Sequence, residues 1–444
     1  MCYSNRVKRT LSLCVAIIFF GGITPFSLDG SVVWTQPVNL SLPGKNAVSP
    51  RINIDSSGTA TAVWSRSNGA NYVIEVAQGK INKQWTAPGR ISYIGQNAFF
   101  ADVVVGASNN SVAVWSRSNG ISNVIQMASK VSGKNWSAPT NLSAKGGAIN
   151  NAVKPQIAAD ADGNLSAIWQ RHNGVNNIIQ VAQQLNNGVW SNPENLTRAN
   201  PSGLGNINPQ IGVDGQADLY AVWLNDSTST IQGATKKKFG NWSSPLNLSA
   251  SGQKISAPCL CVGAEGVVSV AWSRFDGSNY VVQVISSLAG GRMSPVLDLS
   301  VSGQDAINPQ VAIDKKGNAV VVWQRFDGVN TIVQGSFRPA GLSWLVPIDL
   351  SISGEDASSP CVAIDKKGNC IIAWKRSNGS NFVIEATSVN FKNLNLSTPV
   401  ALSLPGEDAI CPQLALDNTG NVVIVWQRSD GFNSIVQAVF GINH

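Results

Sequence analysis

Short apolar runs that end in tryptophan recur along the chain, each followed by a polar turn and a second apolar run. The tryptophans are Trp64, Trp115, Trp169, Trp223, Trp272, Trp323, Trp374 and Trp426, at intervals of 49 to 54 residues. A period near fifty predicts one supersecondary unit copied around a ring or along a stack. In the copy from Pro309 to Ser351, PQVAID reads as an apolar strand, DKKGN as a turn and AVVVWQRF as a second strand. Asp327-Gly328 then supplies the positive φ angles of a tight hairpin. Equivalents stand at Asn68-Gly69, Asn119-Gly120, Asn173-Gly174, Asp276-Gly277, Asn378-Gly379 and Asp430-Gly431. A third strand, TIVQGSF, follows, and SWLVPIDLS with Trp344 and Pro347 reads as a fourth, which proline marks as a sheet edge.

The first three strands of each unit are apolar on both faces, as expected for sheets sandwiched between other sheets. The tryptophans are expected to fill the spaces between sheets, each contributing about 5 kcal/mol before entropy if about 200 Å² is buried. The W-x-x-P strand recurs at Pro37, Pro88, Pro139, Pro193, Pro245, Pro295, Pro347 and Pro399. The first of these, around Trp34, precedes any complete unit, and the last unit ends at SIVQAVF without one. Each end holds what the other lacks. The predicted fold is therefore all-β, an eight-bladed β-propeller of four-stranded antiparallel blades, closed by the N-terminal strand joining the C-terminal blade.

The beginning of the chain differs. Arg6, Lys8 and Arg9 precede the apolar run Leu11 to Ile23, then Thr24, Pro25, Phe26 and Ser27. Residues 1–28 read as a signal peptide, with residues 29–444 as the propeller. The run is too short for a bilayer span, so the mature chain is expected to have no transmembrane segment and to be secreted or periplasmic, within the cell envelope. Net charge is +7, falling to +4 without Arg6, Lys8 and Arg9, which is too mild to suggest nucleic acid. Cys259, Cys261, Cys361, Cys370 and Cys411 would remain, an odd number. Buried thiols are expected, with Cys361 and Cys411 the candidates for a bridge in an oxidising compartment.

The turn written D-x-x-G-N, at Asp160 to Asn164, Asp314 to Asn318, Asp365 to Asn369 and Asp417 to Asn421, resembles bacterial propeller repeats of the NHL and sialidase-like kind. The resemblance covers residues 31 to 440 and implies fold only. The sialidase box S-x-D-x-G-x-x-W is absent, and no arginine triad with Tyr and Glu can be placed.

Candidate chemistry is sparse. The two histidines, His172 and His444, have no triad around them, and no zinc-ligand spacing occurs, so no metal or cofactor is expected. Carboxylates in the connections between units, Asp305, Glu355, Asp356, Glu407 and Asp408, are the one route to a glycosidase, set against a reading as solvated charges or turn partners. The recurrent Asp55, Asp160, Asp214, Asp314, Asp365 and Asp417 read as acceptors for their own turns. Two residues after seven of the eight tryptophans stands an arginine: Arg66, Arg117, Arg171, Arg274, Arg325, Arg376 and Arg428. These seven are the candidate ligand-binding ring, able to grip carboxylates or sulfates. The alternative is one structural pairing per blade interface, with an Asp or a carbonyl of the next blade.

Several copies depart from the pattern. The fourth has Asn225 in place of arginine and is followed by Lys236, Lys237 and Lys238; the second has Ala101 and Gly106, preceded by Phe99 and Phe100; the fifth has Gly263. Such lapses mark either drift or a docking sector. Lys315, Lys316, Lys366 and Lys367 should make the face opposite the hairpins basic, suited to an acidic envelope surface. On the hairpin face, Asn71, Asn176, Asn279, Asn330, Asn381 and Asn433 are expected to be exposed. The expectation is a monomeric, exported, non-enzymatic binding or scaffold propeller recognising a protein or glycan partner. A glycosidase-like carbohydrate-active enzyme with carboxylates at the channel mouth, and a passive envelope repeat, are the alternatives.

Overall fold

A computed structural model describes residues 26–27, 32–106, 109–144, 151–185, 188–198, 204–287 and 291–443. The candidate export segment lies outside them except for Phe26–Ser27, which pairs with Val33 and Trp34, and His444 lies outside them too. Eight antiparallel sheets follow one another around a closed ring, with no helix among the described residues. Blade 1 comprises Ala47–Ile54, Thr59–Ser67, Tyr72–Lys80 and the two-residue outer strand Gly89–Arg90. Blades 2 to 7 repeat that order. Neighbouring inner strands contact each other in sequence, and the inner strand of blade 8, Ala409–Leu416, returns to that of blade 1.

Blade 8 takes its outer edge from the start of the chain. Val32–Trp34 and Val38–Asn39 both pair antiparallel with the last strand, Ser434–Asn443. Trp34 thus sits in the sheet of Trp426, as the distribution of W-x-x-P segments requires. All eight periodic tryptophans are fully buried at 0% exposure, each wedged among aliphatic side chains. Trp323, for instance, lies between Val282 and Val284 of blade 5 and Val321 of its own blade.

The indoles are also wired. In blades 2, 3, 4, 5 and 8 the Trp Nε1–H donates to a glutamine Oε1 on the third strand at 2.9 to 3.3 Å. The glutamine Nε2–H then donates to an Asn or Asp on the outer strand at 2.7 to 2.9 Å. A buried indole N–H left without an acceptor would cost about 1 to 3 kcal/mol, so this relay lets a large polar-tipped ring occupy the core.

The fourth strand is shorter than the W-x-x-P pattern suggests. Each is two residues long within the ladder, because proline cannot donate and the flanking chain diverges. Side-chain oxygens complete the edge. The N–H groups of Ile74, Ile125, Ile179, Ile231, Val282, Val333, Ile384 and Val436 donate to Ser92, Ser143, Thr197, Ser249, Ser300, Ser351, Ser403 and Ser41 at 2.8 to 2.9 Å.

A second joint links blades. The first N–H of the third strand donates to an Asn or Asp in the connection to the next blade: Tyr72 to Asn97, Tyr280 to Asp305, Thr331 to Asp356 and Phe382 to Asp408. Ser434 to Asn46 is the same joint across the ring closure, at 2.8 Å. Asn46→Ala and Asn97→Ala should therefore destabilise the protein alike, by about 1 kcal/mol each. Urea denaturation of the two variants checks this; a much smaller loss for Asn46→Ala would mean that the closing joint is not equivalent to an internal one.

Candidate functional site

Two pieces of local structure shape the face that carries the hairpins. The hairpins are held by an Asn or Asp whose Oδ1 accepts the N–H groups two and three residues on, as Asp327 does from Val329 and Asn330. Such bonds depress the carboxyls of Asp276, Asp327 and Asp430 below their ordinary range, since main-chain donors stabilise the charged form. The six asparagines expected to be exposed beside these turns are not. Asn176 is buried and the other five are half-buried, and each closes its hairpin through a main-chain carbonyl that accepts the first turn N–H.

The candidate carboxylates separate into two groups. Asp305, Asp356 and Asp408 each accept a third-strand N–H at 2.8 Å. Glu355 and Glu407 stand close over the hairpin glycines Gly379 and Gly431 of their own blades. The turn aspartates bind their own turns throughout, as Asp314 does through the N–H groups of Lys316 and Asn318 and the Nδ2 of Asn318.

The arginine ring lies at the ends of the second strands, beneath the connections that enter the same blades. Arg66 donates to the Leu42 carbonyl, Arg117 to Ile94, Arg325 to Val301 and Arg428 to Leu404, at 2.8 to 3.4 Å. Arg274 reaches Gln253 and, at 3.9 Å, Asp298. The partners are thus carbonyls and side chains of the arginine's own blade and its entering loop, instead of an Asp of the next blade. Arg171 occupies the equivalent place in blade 3. In blades 1 and 7 the relay glutamine is replaced by Glu75 and Glu385, and each pairs with its arginine at 3.3 Å. There the outer-strand position holds Arg90 or Ala401, so no outer carboxylate opposes the glutamate.

Nearest the axis, the inner strands carry a repeated bulge. Ser49, Phe100, Lys154, Asn208, Asn308, Ser359 and Cys411 have φ between 52° and 56°, each just before a proline or, after Phe100, before Ala101. This left-handed backbone is costly for a phenylalanine, so its place at the bulge is held by the surrounding sheet. The next residues around the ring are Arg51, Asp102, Gln156, Gln210, Cys259, Gln310, Cys361 and Gln413. Several meet the neighbouring inner strand: Asp102 Oδ2 accepts the Ile157 N–H at 3.0 Å, Gln210 the Leu260 N–H at 2.7 Å, and Arg51 donates to Gln413 at 2.5 Å.

Of these, Arg51, Gln156 and Gln210 line a cavity of about 380 Å³ on the axial side of the inner strands of blades 1 to 5. Arg51, the half-exposed Phe100, Lys154 and Asn208 lie in its wall, and Lys154 Nζ donates to Asn208 at 2.6 Å. Burial pushes the Asp102 carboxyl up, against the opposing charge of Arg51. Reading the sequence by apolar period missed this set. The signal was present at one register, directly around the inner-strand proline, where four copies share glutamine and blades 1 and 2 depart with Arg51 and Asp102.

The five cysteines are free thiols, with Cys361 and Cys370 buried and Cys411 exposed. Burial pushes the Cys259 thiol up to about 12 and Cys261 to about 11, which suppresses thiolate chemistry at neutral pH. Among the described residues, no three His, Cys, Asp or Glu side chains are grouped to hold a metal, and no helix is long and apolar enough to cross a membrane.

No protein-family model matches the chain, and no curated relative does. Solved structures do. An ulvan lyase of polysaccharide lyase family 25 superposes with a TM-score of 0.50 at 10% identity, over 94% of this chain and 95% of that one. A Dyadobacter fermentans protein of unknown function aligns at 0.49 and 10%, covering 93% and 99%, and an Aleuria aurantia lectin at 0.40 and 13%, covering 71% and 100%. The likeness is one of fold, the β-propeller. No family match supports NHL or sialidase-like repeats specifically within that fold.

Two outcomes test the electrostatics of the site. Arg376→Ala strands the Glu385 carboxylate and should cost about 2 kcal/mol, more than Arg325→Ala, with much of the loss recovered in Arg376→Ala/Glu385→Gln. Chemical denaturation of the set measures it as a double-mutant cycle. The raised Asp102 carboxyl means that folding favours its protonated form, so its contribution is fully present below the ordinary value of 3.8 and lost as pH rises through the folded value. Asp102→Asn, which keeps the acceptor for Ile157, should melt a few degrees above the parent at neutral pH, with the gap closing as pH falls towards 3.8.

Proposed function

We propose that this is an exported, monomeric β-propeller that binds, without turning over, a glycan bearing acidic groups at the channel mouth of its hairpin face. The observation that carries the reading is the unequal wall of the axial cavity, where Arg51, Phe100 and Lys154 stand together on blades 1 to 3. Two cations and an exposed aromatic face suit a sugar ring with a carboxylate or sulfate, through charge-assisted hydrogen bonds and apolar contact. Arg66, Arg117, Arg171, Arg274, Arg325, Arg376 and Arg428 frame that face by shaping its loops, with their remaining N–H groups as further donors to a long ligand. Export rests on the character of residues 1–28. The choice of a saccharide is supported by the fold neighbour that is a polysaccharide lyase, at the level of ligand class only.

Binding is preferred to hydrolysis because a glycosidase needs two carboxyl groups placed about one bond. Asp305, Asp356 and Asp408 are held by main-chain donors, and Asp102 is held by Ile157. A protein partner at the same face is the other reading of the exposed hairpin tips Ile121, Val175, Val329 and Phe432.

The test is a panel of neutral, carboxylated and sulfated oligosaccharides, scored together for retention and for newly released chain ends. Retention of acidic members alone, weakened about tenfold or more in Arg51→Ala/Lys154→Ala, is the expected result. Released ends would overturn the non-enzymatic reading, and retention unaffected by the double variant would move the site elsewhere on the face.

A further inference from the structure

The face opposite the hairpins carries lysines of two kinds. On blade 4, Lys237 pairs with Asp218 and Lys238 with Asp162 of blade 3, each at 2.6 Å. On blades 6 and 7, Lys315, Lys316, Lys366 and Lys367 are exposed on the turns between first and second strands, and none forms an ion pair among the described residues. The carboxylates of the same turns cannot serve them, because Asp314 and Asp365 are buried and spent on their own turns. Partial burial, and then the Lys315 side chain beside it across the blade interface, push the Lys366 ammonium below its ordinary range. Two unneutralised cations in contact form a site that an anion would relieve.

Apolar side chains adjoin this patch. The Ala340 N–H donates to Asn318 at 2.8 Å, which fastens the following loop against the Lys315–Lys316 turn, and Leu342 on that loop is 63% exposed. On blade 7 the Phe391 side chain packs over Gly368 and the next residue, Lys392, is exposed. Five lysines and an exposed leucine thus lie on the turns and loops at one end of blades 6 and 7.

We propose that this end of blades 6 and 7 docks on an anionic lipid bilayer, with the lysines on headgroup phosphates and Leu342 entering the interface. A bilayer is favoured over a soluble polyanion because it meets the charge and the exposed leucine with one surface. The proposal is independent of the glycan reading, since it uses the opposite face.

The experiment is co-sedimentation of the full chain with phosphatidylcholine vesicles and with vesicles containing about a third phosphatidylglycerol. Parent and variants carry the same residues 1–25, so any contribution of that segment is common to all. Each lysine removed should weaken binding to the anionic vesicles about fivefold. Lys315→Ala/Lys366→Ala should thus lose about 25-fold, and Leu342→Ser should lose binding without changing its salt dependence. Lys237→Ala, whose lysine is already paired, should bind as the parent does, and matching melting temperatures would confirm that the variants fold. Equal binding to neutral vesicles, or an unchanged double variant, would overturn the proposal. So would capture by a soluble sulfated polysaccharide, lost in the double variant, without any vesicle binding.

Discussion

A ring of sheets is stable only if every strand edge finds partners, and here the third strand of each blade is the edge at stake. Its outer neighbour supplies two residues of ladder, so most of its outward N–H groups would face solvent or another chain. Serine and threonine hydroxyls take that role in all eight blades, and Asn or Asp side chains of the next connection take the first N–H in most. Sheet geometry is thereby completed by side chains that cost little entropy to fix. Five of the buried indoles depend on this arrangement, since the glutamine that accepts their Nε1–H is anchored in turn on the short outer strand.

Eight copies in one chain act as controls for each other. Where the outer position is Asn or Asp, the third strand carries glutamine; where it is Arg90 or Ala401, the third strand carries Glu75 or Glu385 and recruits the second-strand arginine. A carboxylate is thus kept away from another carboxylate and beside a guanidinium, as the low dielectric of a blade interface demands. The same comparison marks the axial wall. Gln210, Gln310 and Gln413 after the proline each bond a main-chain group, while Arg51 and the Phe100–Lys154 bulges place charge and aromatic surface in the cavity.

Blade number, the hairpins and the closing strand were legible because they follow from periods and from glycine and proline, whose backbone demands are local. The buried tryptophans were legible for the same reason. What stayed hidden depends on register. Asp305, Asp356 and Asp408 read as free acids in polar loops, and only the fold brings each to a strand N–H about 25 residues before it. The bulge at Ser49, Phe100 and Lys154 was hidden because a non-glycine residue with positive φ leaves no trace in composition. Arginine recurrence was plain in the sequence, but its carbonyl partners lie on loops whose path is not encoded by any motif.

Closure also sets an order in time. The N–H of Val436 and the hydroxyl of Ser41 are separated by 395 residues, yet they belong to one joint. At about 5 to 20 residues per second, the interval between making the two is about 20 to 80 s. Through that interval the strand around Trp34 has no sheet to join, and its apolar face must be kept from pairing with other chains. The strand Ser434–Asn443 is therefore the one that removes the longest-lived exposed edge of the ring.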